Sequence, residues 1–85
     1  MVETEKPNNI FLNDNITTVE FVTRVLKQIF NKTQEQAHSI TQKIHEDGQG
    51  VVGSYVHEVA EQKGIETTLL ARQENYPLQV KVKKQ

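Results

Sequence analysis

Three short polar side chains follow directly after an apolar run near the start of the chain. The run is Ile10–Leu12, and the residues after it are Asn13, Asp14 and Asn15. Amide and carboxylate side chains held at a rigid corner between two packed elements suit the recognition of a small cationic group. The simpler alternative is that they only end a strand and form the turn that follows it.

A second set of candidate residues shares one face of a helix later in the chain. Ile44 and His45 lie three and four positions after Thr41, so the three side chains share one side of that helix. No serine or threonine is related to His45 and an acid by a recognisable spacing, and the sequence has no cysteine nucleophile. The pattern therefore predicts a binding site, with no catalytic residue and no enzymatic activity.

Composition and spacing exclude several other classes of function. His38 and His45 are seven positions apart, about 10 Å along a helix, which is too far for two ligands of one metal ion. No glycine-rich loop with a following Lys-Ser or Lys-Thr is present to hold phosphates, and a net charge of −1 lacks the excess that nucleic acid requires. The sequence therefore predicts no metal, no cofactor and no nucleic-acid partner.

Apolar runs and cysteine usage bear on the location of the protein. The 85 residues contain no apolar stretch long enough to span a bilayer, and the first residues lack the apolar core of a signal peptide. The absence of cysteine is typical of a reducing compartment. We therefore expect a cytoplasmic protein without a membrane partner.

The polar corner is predicted to lie between a strand and a helix. The strand covers about Ile10 to Asn13. Thr17 and Glu20 have the spacing of a capping box, which predicts Thr17 as the N-cap of a helix over about Thr18 to Phe30. The apolar side of this helix is formed by Phe21, Val22, Val25, Leu26, Ile29 and Phe30.

The helix that carries the second candidate face has its own start and stop signals. Thr33 and Gln36 repeat the capping-box spacing and predict a helix over about Gln34 to Glu46. Gly48 and Gly50 end it.

The second half of the chain predicts two strands around a third helix. A strand is expected over Val51–Tyr55, and a helix begins near positions 56 and 57. Gly64 predicts a kink or an early break in this helix. Pro77 stops the helix, and Leu78–Val82 alternates as a final strand. The inner stripe of the helix is expected to consist of Val59, Ala60, Leu70 and Ala71.

These elements amount to one domain in the order βααβαβ. Residues 1–9 are predicted to form a short flexible lead, and residues 10–85 the domain itself. Three helices packed over one face of a small three-stranded sheet give a two-layer α+β sandwich.

Four segments of the chain together resemble the ClpS family, the adaptors of the Clp protease. In chain order they read FLNDN-ITTVEFV, KIHEDGQG, GSYVHEVAEQK and YPLQV. Each segment alone is a weak signal, but their order and spacing match over nearly the whole chain, from Ile10 to Val82. The resemblance implies a ClpS-like fold, in which the three-stranded sheet is antiparallel.

The resemblance also implies a non-enzymatic adaptor that recognises N-degrons. Such adaptors bind the free α-amino group and the bulky hydrophobic first side chain of a substrate, and deliver it to an AAA+ unfoldase for proteolysis. By match to the family pattern, the amino group would be bound by Asn13, Asp14 and His45. The hydrophobic pocket would be formed by Asn15, Thr17, Val19, Val22, Thr41, Ile44 and Leu78.

The expected partners follow from the same resemblance. Glu58 and Lys63 match positions that dock on the N-terminal domain of the unfoldase, which would be of the ClpA or ClpC type. The simpler interpretation of both residues is an ordinary solvated helix face. Substrates would begin with Leu, Phe, Tyr or Trp.

Several positions depart from the family pattern. Asn15 stands where a second acid is usual, Val19 where a methionine forms a gate, and Thr41 where methionine is also frequent. Val56 replaces the hydroxyl N-cap expected before the third helix. These departures affect the predicted range of substrates rather than the fold.

An alternative hypothesis is a protein-interaction domain of the same fold that does not recognise N-terminal residues. The two hypotheses differ at the amino-group site. Under the first hypothesis, a peptide with a free N-terminal Phe binds and its N-acetylated counterpart does not. Equal binding of the two peptides would favour the second hypothesis.

Overall fold

Six elements follow one another in the order βααβαβ. The computed structural model describes residues 6–84. The elements are β1 (Asn8–Leu12), α1 (Val19–Gln28), α2 (Gln34–Asp47), β2 (Gln49–Ser54), α3 (His57–Gln73) and β3 (Gln79–Lys83). The order predicted from the sequence is confirmed.

Strand β1 begins two residues before its predicted start. Asn8 and Asn9, which were assigned to a flexible lead, belong to the strand, and residues 1–5 of that lead lie outside the described residues. Asn9 is fully buried, and its amide donates a 2.9 Å hydrogen bond to the Ala60 carbonyl oxygen of α3. A polar side chain therefore ties this strand to a helix, which apolar patterning cannot predict.

Strand β1 lies in the centre of an antiparallel sheet with the order β2-β1-β3. Phe11 pairs with Gly50 on one side and with Val80 on the other. Because side chains alternate between faces, buried Phe11 points towards the helices and Ile10 towards the opposite face. The predicted two-layer α+β sandwich, with the helices on one face of a three-stranded antiparallel sheet, is confirmed.

The core is formed mainly by α1 and the strands beneath it. The predicted apolar side of α1 is confirmed, since all its members are buried except Ile29, which is partly buried. Burial of a large apolar side chain contributes about 1.5–3 kcal/mol. The most deeply buried large side chains are Phe11, Phe21, Val25, Leu26, Val52 and Leu78.

Helix α1 begins one residue later than predicted, because Thr18 and not Thr17 is its N-cap. The Thr18 hydroxyl accepts a 3.1 Å hydrogen bond from the backbone N–H of Phe21. The backbone N–H and the hydroxyl of Thr17 instead both donate to Asp14. The capping box predicted for Thr17 and Glu20 was therefore wrong.

Helix α2 has the predicted capping box. The backbone N–H of Gln36 donates to the Thr33 hydroxyl at 3.1 Å, and the Gln36 side chain accepts from the Thr33 N–H at 3.0 Å. At the other end Gly48 adopts φ 86°, which glycine reaches without steric cost. The α2 helix therefore stops sharply beside the start of β2.

Helix α3 runs through Gly64 without a break, so it does not end early there. A side chain at position 64 would meet Val80, Val82 and the Asn9 amide at 3.7–3.8 Å, so the helix lies close to the sheet there.

Val59 is 40% exposed and was wrongly assigned to the inner stripe. Val56 makes no side-chain cap, as expected. The buried stripe consists of small residues, namely Ala60, Gly64, Thr67 and Ala71.

Candidate functional site

The polar corner after β1 is joined to the end of α2. The backbone N–H of Asn13 donates a 2.9 Å hydrogen bond to the Gly48 carbonyl oxygen, immediately after α2. Gly48 in turn donates its N–H to the Ile44 carbonyl oxygen at 2.9 Å. Two backbone bonds thus place the last turn of α2, which carries His45, beside Asn13. The two sets of candidate residues, far apart in sequence, therefore share one site.

The Asp14 carboxylate is fixed by a tight local turn. Its Oδ1 atom accepts from the backbone N–H groups of Ile16 and Thr17 at 2.8 and 2.6 Å. Its Oδ2 atom accepts from the Thr17 hydroxyl at 2.8 Å. Since a carboxylate oxygen can accept two hydrogen bonds, Oδ2 keeps a lone pair for a further donor.

The same bonds keep Asp14 charged. Partial burial, the largest single influence, raises the pKa of Asp14, but the hydrogen bonds from Thr17 and Ile16 and the positive charge of Arg72 together outweigh it. The pKa of Asp14 is therefore lowered from the ordinary aspartate value. The corner carries a fixed negative charge at neutral pH.

A cavity of about 270 Å³ opens beside this corner. It contains every residue predicted for the amino-group site and every residue predicted for the hydrophobic pocket except Leu78. Thr18 also contributes, which the sequence did not predict. The lining residues are Asn13, Asp14, Asn15, Thr17, Thr18, Val19, Val22, Thr41, Ile44 and His45.

The cavity has a buried apolar floor and an exposed polar rim. Val22, Thr41 and Ile44 are between 3% and 7% exposed and form the floor. Asn13 and His45 are exposed at the rim. A ligand with a cationic group and an apolar side chain would therefore meet a matching surface at each end.

The hydroxyl of Thr41 is already engaged inside the protein. It donates to the Ala37 carbonyl oxygen at 2.7 Å, so Thr23, whose hydroxyl lies 3.3 Å away, is the donor to Thr41. A hydroxyl has only one hydrogen to donate. The floor at Thr41 thus offers no free donor, which suits an apolar ligand group.

Leu78 lies elsewhere. It is 1% exposed, belongs to the hydrophobic core, and is not among the residues that line the cavity. The guanidinium of Arg72 donates to the Leu78 carbonyl oxygen at 3.0 Å and to the Tyr76 carbonyl oxygen at 2.7 Å. Arg72 therefore holds the chain before β3 in place, with the Leu78 side chain in the core.

The two residues predicted to dock on an unfoldase have different surroundings. Glu58 is exposed in the first turn of α3. Lys63 is half-buried, and its Nζ donates to the Ile29 carbonyl oxygen at 2.6 Å. The same Nζ lies 5.0 Å from the centroid of the Tyr55 ring and 5.7 Å from that of Phe30. Lys63 therefore joins α3 to the end of α1, whereas Glu58 is available to a partner.

Thr18 could have been found from the sequence by a different rule. A threonine three residues before an apolar helical stripe is a good N-cap, but the capping-box rule favoured Thr17 because Glu20 stands three positions on. Phe21, three positions after Thr18, cannot form the reciprocal bond. The local bonds of Asp14 decide between the two threonines.

Two further properties concern the described part of the chain as a whole. Within residues 6–84, no three or more His, Asp or Glu side chains are grouped so that they could hold a metal ion. Over the same range, no helix is both long and apolar enough to cross a membrane.

Comparison with known proteins identifies the family. The family described as "ATP-dependent Clp protease adaptor protein ClpS" matches residues 3–81. The chain belongs to the ClpS family. It is therefore an adaptor of the Clp protease and not an enzyme, and its partner is an AAA+ unfoldase.

Individual relatives agree with this assignment. The ATP-dependent Clp protease adapter protein ClpS of Treponema denticola is 43% identical over 83 residues, which cover 98% of this chain and 82% of the relative. ClpS of Lawsonia intracellularis is 52% identical over 66 residues, covering 78% and 61%. Among solved structures, ClpS2 of Agrobacterium tumefaciens bound to L-phenylalaninamide superposes with a TM-score of 0.92. It is 29% identical and covers 98% of this chain and 100% of that one.

Proposed function

We propose that the cavity beside the polar corner binds the first residue of N-degron substrates, which this ClpS-family chain delivers to its unfoldase for proteolysis. The α-amino group would be held by Asn13, Asp14 and His45. The bulky hydrophobic first side chain would occupy the floor formed by Val22, Thr41 and Ile44, beneath a rim that includes Asn15, Thr17 and Val19.

The observation that carries this proposal is the pairing of a charged rim with a buried floor in one small cavity. A lowered pKa keeps Asp14 ionised at neutral pH, where an α-amino group is largely protonated. The free lone pair of Oδ2 can accept one ammonium hydrogen, while the amide of Asn13 and the imidazole of His45 supply other acceptors at the same rim.

The expected affinity is modest. Each charge-assisted hydrogen bond contributes about 1.5–3 kcal/mol, and burial of a Leu or Phe side chain contributes about as much. The loss of translational and rotational freedom opposes both. The balance corresponds to a dissociation constant of about a micromolar.

The ligand of a related protein supports the same assignment. L-Phenylalaninamide, bound to the Agrobacterium tumefaciens ClpS2 structure, has a free α-amino group and a benzyl side chain. It thus combines the two groups that the cavity of this chain can accommodate. We extend the proposal to substrates that begin with Leu, Phe, Tyr or Trp.

The partner surface is part of the proposal. We assign docking on the N-terminal domain of a ClpA-type or ClpC-type unfoldase to the exposed start of α3, where Glu58 lies. Lys63 would act there mainly by holding α3 in position, since its ammonium group is bound to Ile29. A cytoplasmic location is also proposed, consistent with the absence of cysteine.

A pair of peptides tests the proposed recognition. One begins with a free N-terminal Phe, and the other has the same sequence with an acetylated N-terminus. Isothermal titration should show binding of the first peptide and none of the second, because acetylation removes the positive charge and a donor. Equal binding of both would instead favour a protein-interaction domain of this fold that does not recognise N-terminal residues.

A further inference from the structure

Strand β3 lies at one edge of the sheet. It pairs with β1 on one side, and no strand among residues 6–84 pairs with its other side. An open edge presents backbone N–H and C=O groups to which an added strand can bond. The structure shows which residues of β3 present these groups.

The hydrogen bond at the end of β1 fixes the alternation of its backbone. The Asn13 N–H points to β2, since it donates to the Gly48 carbonyl oxygen. Consecutive residues of a strand direct their backbone groups to opposite sides, so Leu12 and Ile10 bond towards β3. Their partners in the register are Gln79 and Lys81.

The residues between those partners point the other way. If Gln79 and Lys81 direct their N–H and C=O groups to β1, then Val80 and Val82 direct theirs to the open edge. These two residues thus offer two donors and two acceptors in register for an added strand.

A groove of about 400 Å³ runs along this edge beneath α3. Ile65 and Leu69 of α3 are 56% and 61% exposed, which is high for large apolar side chains. The side chains of Val80 and Val82 face the same groove. Residues of an added strand that pair with these valines would therefore direct their side chains against Ile65 and Leu69.

Charge determines what kind of strand fits. Lys81 and Lys83 are exposed on the face of β3 opposite the groove, so the alternate residues of an added strand would lie next to them. A second copy of β3 in antiparallel pairing would bring lysines of both copies together on one face, which is unfavourable. Glu61 also lines the groove and would repel an acidic side chain there. Apolar residues in the groove and acidic residues beside the lysines are complementary to this surface.

We propose that the open edge of β3 binds an extended segment of another protein in which apolar and acidic residues alternate. The segment adds a strand to the sheet by bonding with Val80 and Val82. Its apolar side chains pack against Ile65 and Leu69, and its acidic side chains pair with Lys81 and Lys83. The surface shares no residue with the cavity that we assign to N-degrons, so both can be occupied together.

The test uses the full chain and a peptide that cannot enter the N-degron cavity. The probe is a peptide of about ten residues in which valine and glutamate alternate, acetylated at its N-terminus and amidated at its C-terminus. Saturable binding is expected by isothermal titration, with slower amide hydrogen exchange at Val80 and Val82. A peptide with lysine in place of glutamate should bind at least about tenfold more weakly, because it repels Lys81 and Lys83.

Two variants and a matched control locate the binding. Leu69→Glu places a charge in the groove, and Val82→Pro removes an outward N–H without removing a bond to β1. Each variant should lower the affinity for the probe by about tenfold or more. Val59→Glu also introduces a glutamate at an exposed apolar position of α3, but outside the groove. This variant should bind the probe like wild type.

Specific outcomes overturn the proposal. The proposal is wrong if wild type shows no saturable binding, or if Leu69→Glu and Val82→Pro bind the probe unchanged. Protection of amides outside β3 would also contradict it. Binding of a peptide with a free N-terminal Phe reports the other site in every variant, so its loss cannot be confused with loss at β3. If Val82→Pro fails to fold, Ile65→Glu replaces it as an exposed groove variant.

Discussion

The polar corner and the outer side of α3 both carry a half-buried charged residue that the sequence assigns to binding, yet the two charges are held in different ways. Asp14 is bound by its neighbours Ile16 and Thr17, two and three positions away. Because these bonds all come from one local turn, the Oδ2 atom of Asp14 keeps a lone pair available at the cavity. Lys63 is bound by Ile29, 34 positions away, and by the ring of Tyr55. Its charge is used to hold two helices together.

The difference shows how a charged side chain becomes available for a ligand. A charge fixed by local bonds is oriented without its remaining acceptors being covered, because the bonding groups all come from one turn. A charge that joins distant elements is covered by both of them. We therefore expect substitutions at the corner to remove binding, and substitution of Lys63 to affect stability first.

The largest expected effect is the loss of peptide binding in Asn13→Ala or Asp14→Ala. Each variant removes a proposed partner of the substrate ammonium, and one charge-assisted bond is worth about 1.5–3 kcal/mol, which corresponds to about 10-fold to 150-fold in affinity. Neither residue belongs to the apolar core, so the fold should persist. Isothermal titration with a peptide that begins with Phe measures the loss. Near-unchanged affinity in either variant removes that residue from the site.

Lys63→Ala should lower the free energy of unfolding by about 1–3 kcal/mol. The variant removes a charged hydrogen bond to the carbonyl at the end of α1 and the contact with the Tyr55 ring. Urea denaturation measures the change, with Glu58→Ala as an exposed control on the same helix that should stay within about 0.5 kcal/mol. If Lys63→Ala instead keeps full stability and loses unfoldase binding, its charge is a docking group after all.

Local competition between hydrogen bonds limited what the sequence could predict about this site. The capping rule sees Thr17 and Glu20, but it does not see that Asp14 binds both polar groups of Thr17. Thr18 is therefore the cap that the rule missed. The helices and strands and their order can be predicted, because they depend on patterns of apolar and polar residues within a few positions of one another in the sequence.

Contacts between distant elements were harder to predict. In the sequence, Leu78 follows a proline and begins an alternating segment. That pattern does not indicate a pocket, so the assignment of Leu78 to the pocket rested on the family resemblance alone. In the structure, Leu78 is buried in the core. Buried Asn9 and Thr67 look like surface residues in the sequence. Asn9 donates to the Ala60 carbonyl oxygen of α3, which only the folded chain brings within reach. Thr67 donates to the Lys63 carbonyl oxygen one turn earlier in its own helix, so its hydroxyl is satisfied locally while the helix face that carries it is buried.

Val19→Met should change which first residue the cavity prefers. Val19 is 55% exposed at the rim, at the position where the family pattern has a methionine gate. A methionine is longer and would crowd a side chain that branches at Cβ. The variant should therefore bind N-terminal Ile and Val less well relative to Leu and Phe, by about 1 kcal/mol. Affinities for four peptides that differ only in the first residue measure this. An unchanged ratio of Leu to Ile affinity would show that Val19 is not the gate.

The smallest expected effect is the pH dependence that Asp14 gives to stability, because its carboxylate is only partly buried. The pKa of Asp14 is lowered in the folded chain, so the ionised group stabilises the fold above the ordinary aspartate pKa. This contribution is lost as the pH falls through the lower folded-state pKa. Asp14→Asn keeps an oxygen for the Ile16 and Thr17 donors but cannot titrate.

The free energy of unfolding of wild type should therefore fall more steeply with acid than that of Asp14→Asn. Urea denaturation at several pH values, from neutral to below the ordinary aspartate pKa, gives the two curves without any ligand. Their difference isolates Asp14, because every other titrating group is common to both proteins. Parallel curves would show that the turn does not favour the ionised carboxylate. The negative charge at the rim would then owe nothing to the bonds from Ile16 and Thr17, and the contrast with Lys63 would lose its electrostatic basis.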